Sequence, residues 1–270
     1  MALRPIAALA RERARRIESR VVSEHRLRAD ICHVARVLYE RGHNAPADGN
    51  VSARLGRRYL LCTPTGVHKG ELSSDAIVKL RLADGLSIDE KRPSSEIKMH
   101  LGIYRARADV GAIVHAHSPH AVGLTVSGQS MAEPVVPEAI LGLGGIPTVP
   151  YASPTTADVA AAVLPYALRF NAFILERHGT VTLGDDVAMA LSRLEVVEHT
   201  AHITAVALAT GGAPPIDATE AAHLRKMAED AGLLRPLDGG APIRLTAAEE
   251  SLAEALAERV LARLLAPGRS

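Results

Sequence analysis

Two histidines one residue apart, His115 and His117, sit in the run Ala112-Ile113-Val114-His115-Ala116-His117-Ser118-Pro119. Apolar residues lead into the pair, so the run reads as the end of a buried strand. Residues two apart on a strand project to the same side, and both imidazoles can then grip one ion. Glu96, upstream in Pro93-Ser94-Ser95-Glu96, and His178, downstream in Arg177-His178-Gly179, add a carboxylate and a third imidazole. Three imidazoles and one carboxylate suit a divalent transition metal such as zinc or manganese. A His-x-His pair alone is weak evidence, since histidines are more often surface or satisfied core than ligands. The weight rests on the flanking segments.

Gly49-Asn50-Val51-Ser52 and Thr63-Pro64-Thr65-Gly66, with Ser94 and Ser95, offer hydroxyls, an amide and exposed backbone N–H groups. The two serines stand just before an expected helix N-terminus. That is good chemistry for a phosphate or carboxylate, although each segment taken singly reads as a turn or a cap. His68, in Thr65-Gly66-Val67-His68-Lys69, borders this group and is a candidate substrate contact or a plain bystander. His100, one turn after Glu96, could line the site or face out from its helix. His120 belongs to the helix after the strand. His199 and His202 are three apart on a helix, a spacing that could pair on a metal, but no third ligand is near in sequence. The Ala-rich stripe of that helix reads as core packing.

The elements that must position these residues follow from periodicity. Residues 4–41 have helical spacing, with Ile31, Val34 and Leu38 on one face, and Gly42 ends the helix. Short β-like runs cover 51–55, 59–62 and 77–80. A helix spans 96–107, a strand 111–116 and a helix 119–127. The Gly- and Pro-rich stretch 128–156 reads as loops. A helix follows over 156–168, then strands 172–176 and 180–183, then a long helix 187–210. Helices near 217–232 and 246–265 close the chain. Short strands mixed with helices and hairpin-length connections predict one α/β domain over 1–270. It would be a three-layer α/β/α sandwich with a mostly antiparallel central sheet. The helical extension about 1–41 and the helical segment about 217–266 flank it.

The composition excludes other classes. With 270 residues and 47% hydrophobic content the chain can bury a real core, built from Ala, Leu, Val and Ile since aromatics are 3% and Trp is absent. A net charge of +1 without a basic block speaks against nucleic acid or a membrane surface as partner. No apolar run approaches the length of a membrane span, and no signal segment is evident. A cytoplasmic protein is expected, with Cys32 and Cys62 as small buried hydrophobes.

Five motifs, Gly49-Asn50-Val51-Ser52, Thr63-Pro64-Thr65-Gly66, Pro93-Ser94-Ser95-Glu96, His115-Ala116-His117 and His178-Gly179, occur in the order and spacing of the class II aldolase/adducin-like family. The chain resembles this family over roughly residues 25–210. The resemblance implies metal ligation by His115, His117 and His178, with Glu96 as ligand or acid/base. It implies an anion pocket from Asn50, Thr65, Gly66, Ser94 and Ser95, and a homotetramer with active sites between subunits. The family's fuculose-phosphate aldolases carry a tyrosine after the His-x-His helix, where this chain reads Val135-Val136-Pro137-Glu138-Ala139-Ile140. They often have two histidines before the glycine, where this chain has Arg177-His178-Gly179. These departures look closer to the decarboxylase branch acting on hydroxylated aromatic dicarboxylates such as 3-hydroxy-2-methylpyridine-4,5-dicarboxylate, of vitamin B6 breakdown. The expected activity is therefore that of a metal-dependent carbon-carbon lyase, with manganese favoured for a decarboxylase and zinc the alternative. The competing expectations are a sugar-phosphate aldolase or epimerase and a non-catalytic adducin-like scaffold. The full set of Glu96 and three histidines argues against the scaffold.

Overall fold

Ser23 opens the first described helix: its hydroxyl accepts from the Arg26 backbone N–H at 3.2 Å, the usual role of an N-cap serine. The computed structural model describes residues 23–153, 157–231 and 233–234. Helix α1 runs Glu24–Glu40 and buries Leu27, Ile31, Val34 and Leu38 along one stripe. The remainder of the expected N-terminal helix, 1–22, and the expected helix near 246–265 lie outside the described residues.

The strands are β1 (Asn50–Leu55), β2 (Tyr59–Cys62), β3 (Val78–Arg81), β4 (Ala112–Ala116), β5 (Thr148–Val149), β6 (Ala172–Leu175) and β7 (Gly179–Gly184). They form one seven-stranded sheet in the order β3-β2-β1-β4-β7-β6-β5. Every pairing is antiparallel except β5 with β6, which is parallel. That exception has a topological cause. Helix α5 (Ala157–Arg169) carries the chain from β5 across to β6, and parallel neighbours need such a crossover.

Both faces of the sheet are covered, as the sequence predicts. Ile113, Val181, Leu183, Phe173 and Leu80 pack with residues of α2 (Ile97–Ala106) and α5. Val51, Ala53, Val114 and Ala116 pack on the other face with α1 and α6 (Val187–Ala209). A third cluster joins α3 (Pro119–Val126) and α4 (Pro137–Leu143) to Ala172 and Ile174, with Val197 and Ala201 of α6. Phe173 is fully buried, and truncation to alanine would cost about 3–5 kcal/mol. A last described helix, α7, spans Ala218–Asp230. Cys32 and Cys62 are both free and buried, as expected.

One stretch departs from the sequence reading. Helix α4 and strand β5 lie inside 128–156, which reads as loop. Pro137 at the first turn, Glu138 beside it and Gly144 in the left-handed conformation (φ 76°) close a seven-residue helix. So short an apolar run between Gly and Pro residues carries too little periodicity to stand out.

Candidate metal centre

The sheet register builds the centre. Asn50 lies opposite His115 across β1 and β4, so an amide stands beside the first imidazole. His115, fully buried, contacts the Thr180 carbonyl through Nδ1 at 2.8 Å. A carbonyl only accepts, so Nδ1 carries a proton and Nε2 is the nitrogen that faces the centre. His117 lies one residue beyond β4. Its backbone N–H donates to Asn44 Oδ1 at 3.0 Å, and its Nδ1 is 3.4 Å from Asp48 Oδ2. His178 comes from the β6–β7 turn, where Arg177 takes a left-handed φ of 57° and the His178 N–H donates to the Leu175 carbonyl at 3.1 Å. Glu96 precedes α2. Its Oε2 accepts from Asn50 Nδ2 at 2.8 Å and lies 3.2 Å from His115 Nε2. Its Oε1 is 3.2 Å from His178 Nε2.

The four side chains converge. Ring centroids are 5.2 Å apart for His115 and His117, 4.9 Å for His115 and His178 and 5.0 Å for His117 and His178, with planes 63–66° apart. One ligand atom from each of the four lies within 4.8 Å of the rest. His115 Nε2, His117 Nε2 and Glu96 Oε1 are buried without a hydrogen-bond partner. Unpartnered buried acceptors facing one another are costly, and a divalent cation would satisfy them together. The donor set therefore fits the metal that the sequence calls for. Two glycines make room. A Cβ on Gly179 would sit 2.5 Å from the Ala116 carbonyl and 2.8 Å from His115 Cε1; on Gly49 it would sit 2.7 Å from the His115 carbonyl.

The charges keep Glu96 ionised and His117 neutral, and they draw a proton toward His115 until a cation takes its place. Burial opposes ionisation of Glu96, but the neighbouring His115 and His178 outweigh it and hold the carboxyl well below the usual range. Burial also disfavours the charged form of His115, yet Glu96 raises its pKa overall. His117 is pushed down to about 4 by burial and by the other two imidazoles, so it is neutral near pH 7.

A cleft of about 530 Å³ opens beside the ligands, lined by Asp48, Asn50, Thr65, Gly66, Lys69, Ser94 and Ser95, with Glu96, His117 and His178 at one end. The predicted anion-binding residues are thus gathered in one place. His68 is not among the lining residues. Its Nδ1 accepts from the Gly70 N–H at 3.1 Å and its ring meets Tyr39 edge-on at 4.5 Å, so it caps a turn. Ser52 and Thr63 also serve the frame: the Thr63 hydroxyl accepts from the Val51 N–H. Ser52 Oγ bonds His100 Nδ1 at 2.7 Å and the Tyr104 hydroxyl at 3.0 Å. His100 is fully enclosed, and burial pushes its pKa down to about 3; it is neither a surface residue nor part of the cleft lining. Lys69, like Asp48, is a lining residue that motif reading missed. It lies next to His68 in a quoted segment, but nothing in its spacing marks it.

The family model described as Class II Aldolase and Adducin N-terminal domain matches residues 29–205. The chain belongs to this family. A 3-oxo-tetronate 4-phosphate decarboxylase of Pectobacterium atrosepticum is 34% identical over 190 residues, covering 69% of this chain and 87% of that protein. An L-fuculose phosphate aldolase of Methanococcus vannielii is 33% identical over 178 residues, covering 66% of this chain and 93% of that protein. Among solved structures, YgbL of Escherichia coli, described as of the aldolase/epimerase/decarboxylase type, superposes with a TM-score of 0.70 at 30% identity, covering 75% of this chain and 99% of that one. The chain is a metal-dependent lyase of the class II aldolase family, and carboxy-lyase chemistry is represented among its relatives. No described helix is long and apolar enough to cross a membrane.

Proposed function

We propose that this lyase decarboxylates a small 3-oxo sugar acid that carries a phosphate, with Glu96, His115, His117 and His178 holding one divalent metal. The observation that carries this reading is the continuity of the ligand cluster with a cleft walled by Asn50, Thr65, Gly66, Ser94 and Ser95. One end suits an oxygen on which charge develops, and the other suits a distal anion. Relatives named as 3-oxo-tetronate 4-phosphate decarboxylases support both halves. They move the substrate class away from the hydroxylated aromatic dicarboxylate expected from the missing tyrosine at 135–140. That absence sets the chain apart from the aldolases but does not by itself require an aromatic ring.

The chemistry is loss of carbon dioxide next to a carbonyl, followed by uptake of a proton at carbon. A divalent ion bound by the four residues supplies Lewis-acid stabilisation of the negative charge that develops as the bond breaks. The chain's own residues do the rest. Asn50 Nδ2 fixes one oxygen of Glu96. Glu96, ionised at rest, is the chain's group through which a proton taken up from water is relayed to the carbon that loses carbon dioxide. The hydroxyls and backbone N–H groups at Thr65–Gly66 and Ser94–Ser95 hold the distal anion near the start of α2. Manganese is the favoured ion, with zinc the alternative, and a cytoplasmic homotetramer with sites between subunits completes the proposal.

The test is carbon dioxide release by manganese- and zinc-loaded protein from 3-oxo-tetronate 4-phosphate. 3-Hydroxy-2-methylpyridine-4,5-dicarboxylate and fuculose 1-phosphate are assayed beside it. The proposal expects the first substrate to be turned over with the highest kcat/KM. Carbon dioxide only from the aromatic acid, or aldol cleavage of fuculose phosphate with no carbon dioxide from either acid, overturns it.

A further inference from the structure

Lys69 is only 2% exposed, yet it lines the cleft with Thr65, Gly66, Ser94 and Ser95. Its Nζ donates to the carbonyls of Ala47 and Val67, each at 3.0 Å. Ala47 belongs to the loop that leads into Gly49-Asn50, and Val67 follows Thr65-Gly66. The ammonium group therefore ties together the two loops that flank the anion end. Its backbone is fixed as well, since the Lys69 N–H donates to the Pro46 carbonyl at 2.7 Å.

A lysine ammonium has three N–H donors, and two are used on these carbonyls. Among the described residues the third has no protein partner, and no carboxylate forms an ion pair with the group. Burial lowers the Lys69 pKa from its ordinary value; Asp48 opposes this through its charge without touching it. A buried ammonium held by two neutral carbonyls is undercompensated. Among the described residues it is the one lysine or arginine that lines this cleft. The other donors there are neutral, and neutral donors separate a phosphate dianion from a carboxylate weakly. A charge-assisted hydrogen bond is roughly twice as strong as a neutral one.

We infer that Lys69 is the specificity-determining residue of the cleft, the fixed positive charge that selects a substrate ending in a phosphate. The inference rests on the phosphate-substrate reading above. It assigns Lys69 two linked tasks: its carbonyl bonds hold the two loops at a set distance, and its remaining N–H meets the phosphate that bridges them.

The experiment uses the full-length, metal-loaded protein and inorganic phosphate as probe, at constant ionic strength. Phosphate affinity is measured by calorimetry for wild type and Lys69→Gln, with metal content and Tm measured alongside. The expected result is a loss of phosphate affinity of about tenfold or more in the variant, with metal content unchanged. A purely structural tie would lower Tm and leave phosphate affinity alone, and that result overturns the inference. Lys69→Gln could fail to fold, so a second measurement stands on the wild type. The chain has five lysines, and ¹³Cε-lysine spectra assigned with single Lys→Arg variants at the other four follow Lys69 directly. Saturating phosphate should shift the Lys69 signal. An unmoved signal, or no phosphate binding by the wild type, overturns the inference. Phosphate bound at Lys69 with no carbon dioxide released from 3-oxo-tetronate 4-phosphate removes the substrate reading and leaves Lys69 in its role.

Discussion

His115 lies in β4 and His117 one residue beyond it; three residues later His120 enters a second group with His43, His199 and His202 around Glu198, with Arg41 and Glu195 beside them. The two groups have nearly the same chemical inventory and opposite geometry. In the first, three rings stand 63–66° to one another and their nitrogens converge with a carboxylate oxygen. In the second, His120 and His202 stack at 4.1 Å with planes 17° apart, which directs their edges alongside each other and not toward a common point. The carboxylates differ more. Glu96 accepts from Asn50, and its two oxygens lie 3.2 Å from His115 Nε2 and His178 Nε2. Glu198 is spent: it accepts from the His120 N–H at 3.0 Å, the Ala121 N–H at 3.0 Å and His120 Nδ1 at 2.8 Å. Ser118 makes no capping bond for α3, so Glu198 reaches across from α6 to satisfy that helix start and its dipole. What separates the two groups is where the carboxylate points: Glu96 at converging imidazole nitrogens, Glu198 at a helix start.

The sharpest way to break this contrast is to remove a ligand. His117→Ala should strip the ion and lower turnover by more than the roughly 10–100-fold that a supporting contact costs. Metal content measured by atomic emission should fall with it. Full metal content and normal turnover in His117→Ala would erase the distinction between the two groups.

Glu96→Gln tests the carboxylate itself. The three imidazoles remain, so some metal should stay bound, while the rate falls about 10²-fold because the amide cannot carry a proton. A variant that keeps both metal and rate would show that Glu96 is only a neighbour of the centre.

The centre was legible because its motifs are local: His115-Ala116-His117 on a strand end and a histidine before Gly179 need no tertiary knowledge. The antiparallel sheet followed from hairpin-length connections; its one parallel pair did not, since β5 lies in the stretch 128–156 that reads as loop. His100 and Lys69 were not legible. Both owe their roles to burial, and a polar residue enclosed by distant segments looks in sequence like any other helix or loop residue. His68 shows the converse: it borders the right motif, but a local bond to the Gly70 N–H turns it away. The Glu198 cap joins residues 77 and 78 apart in sequence, beyond the reach of any periodicity. His199 and His202, three apart on α6, are both exposed, so neither packs in the core as the Ala-rich stripe suggests for that helix.

Glu198→Ala probes the structural side of the contrast. It leaves two backbone N–H groups at the start of α3 without their acceptor, one of them buried. Loss of a cap and of buried partners should cost about 2 kcal/mol of stability, read as a lower midpoint in denaturant. Metal stoichiometry should hold. Loss of the ion with unchanged stability would mean that Glu198 serves the metal after all.

The smallest effect is expected from His202→Ala. The exposed His202 ring touches the second cluster through its stack on His120. A half-wet aromatic pair contributes on the order of 1 kcal/mol or less, and His120 keeps its bond to Glu198 without it. The variant should unfold at nearly the wild-type denaturant midpoint and bind metal in the wild-type ratio. Its value lies in the pairing with His117→Ala: two histidine deletions in one protein, differing in outcome because only His117 belongs to the group of converging ligand atoms. A His202→Ala protein that loses metal would put a second ion, or a second route to the first, among histidines whose ligand atoms, among the described residues, do not converge as those of the first group do.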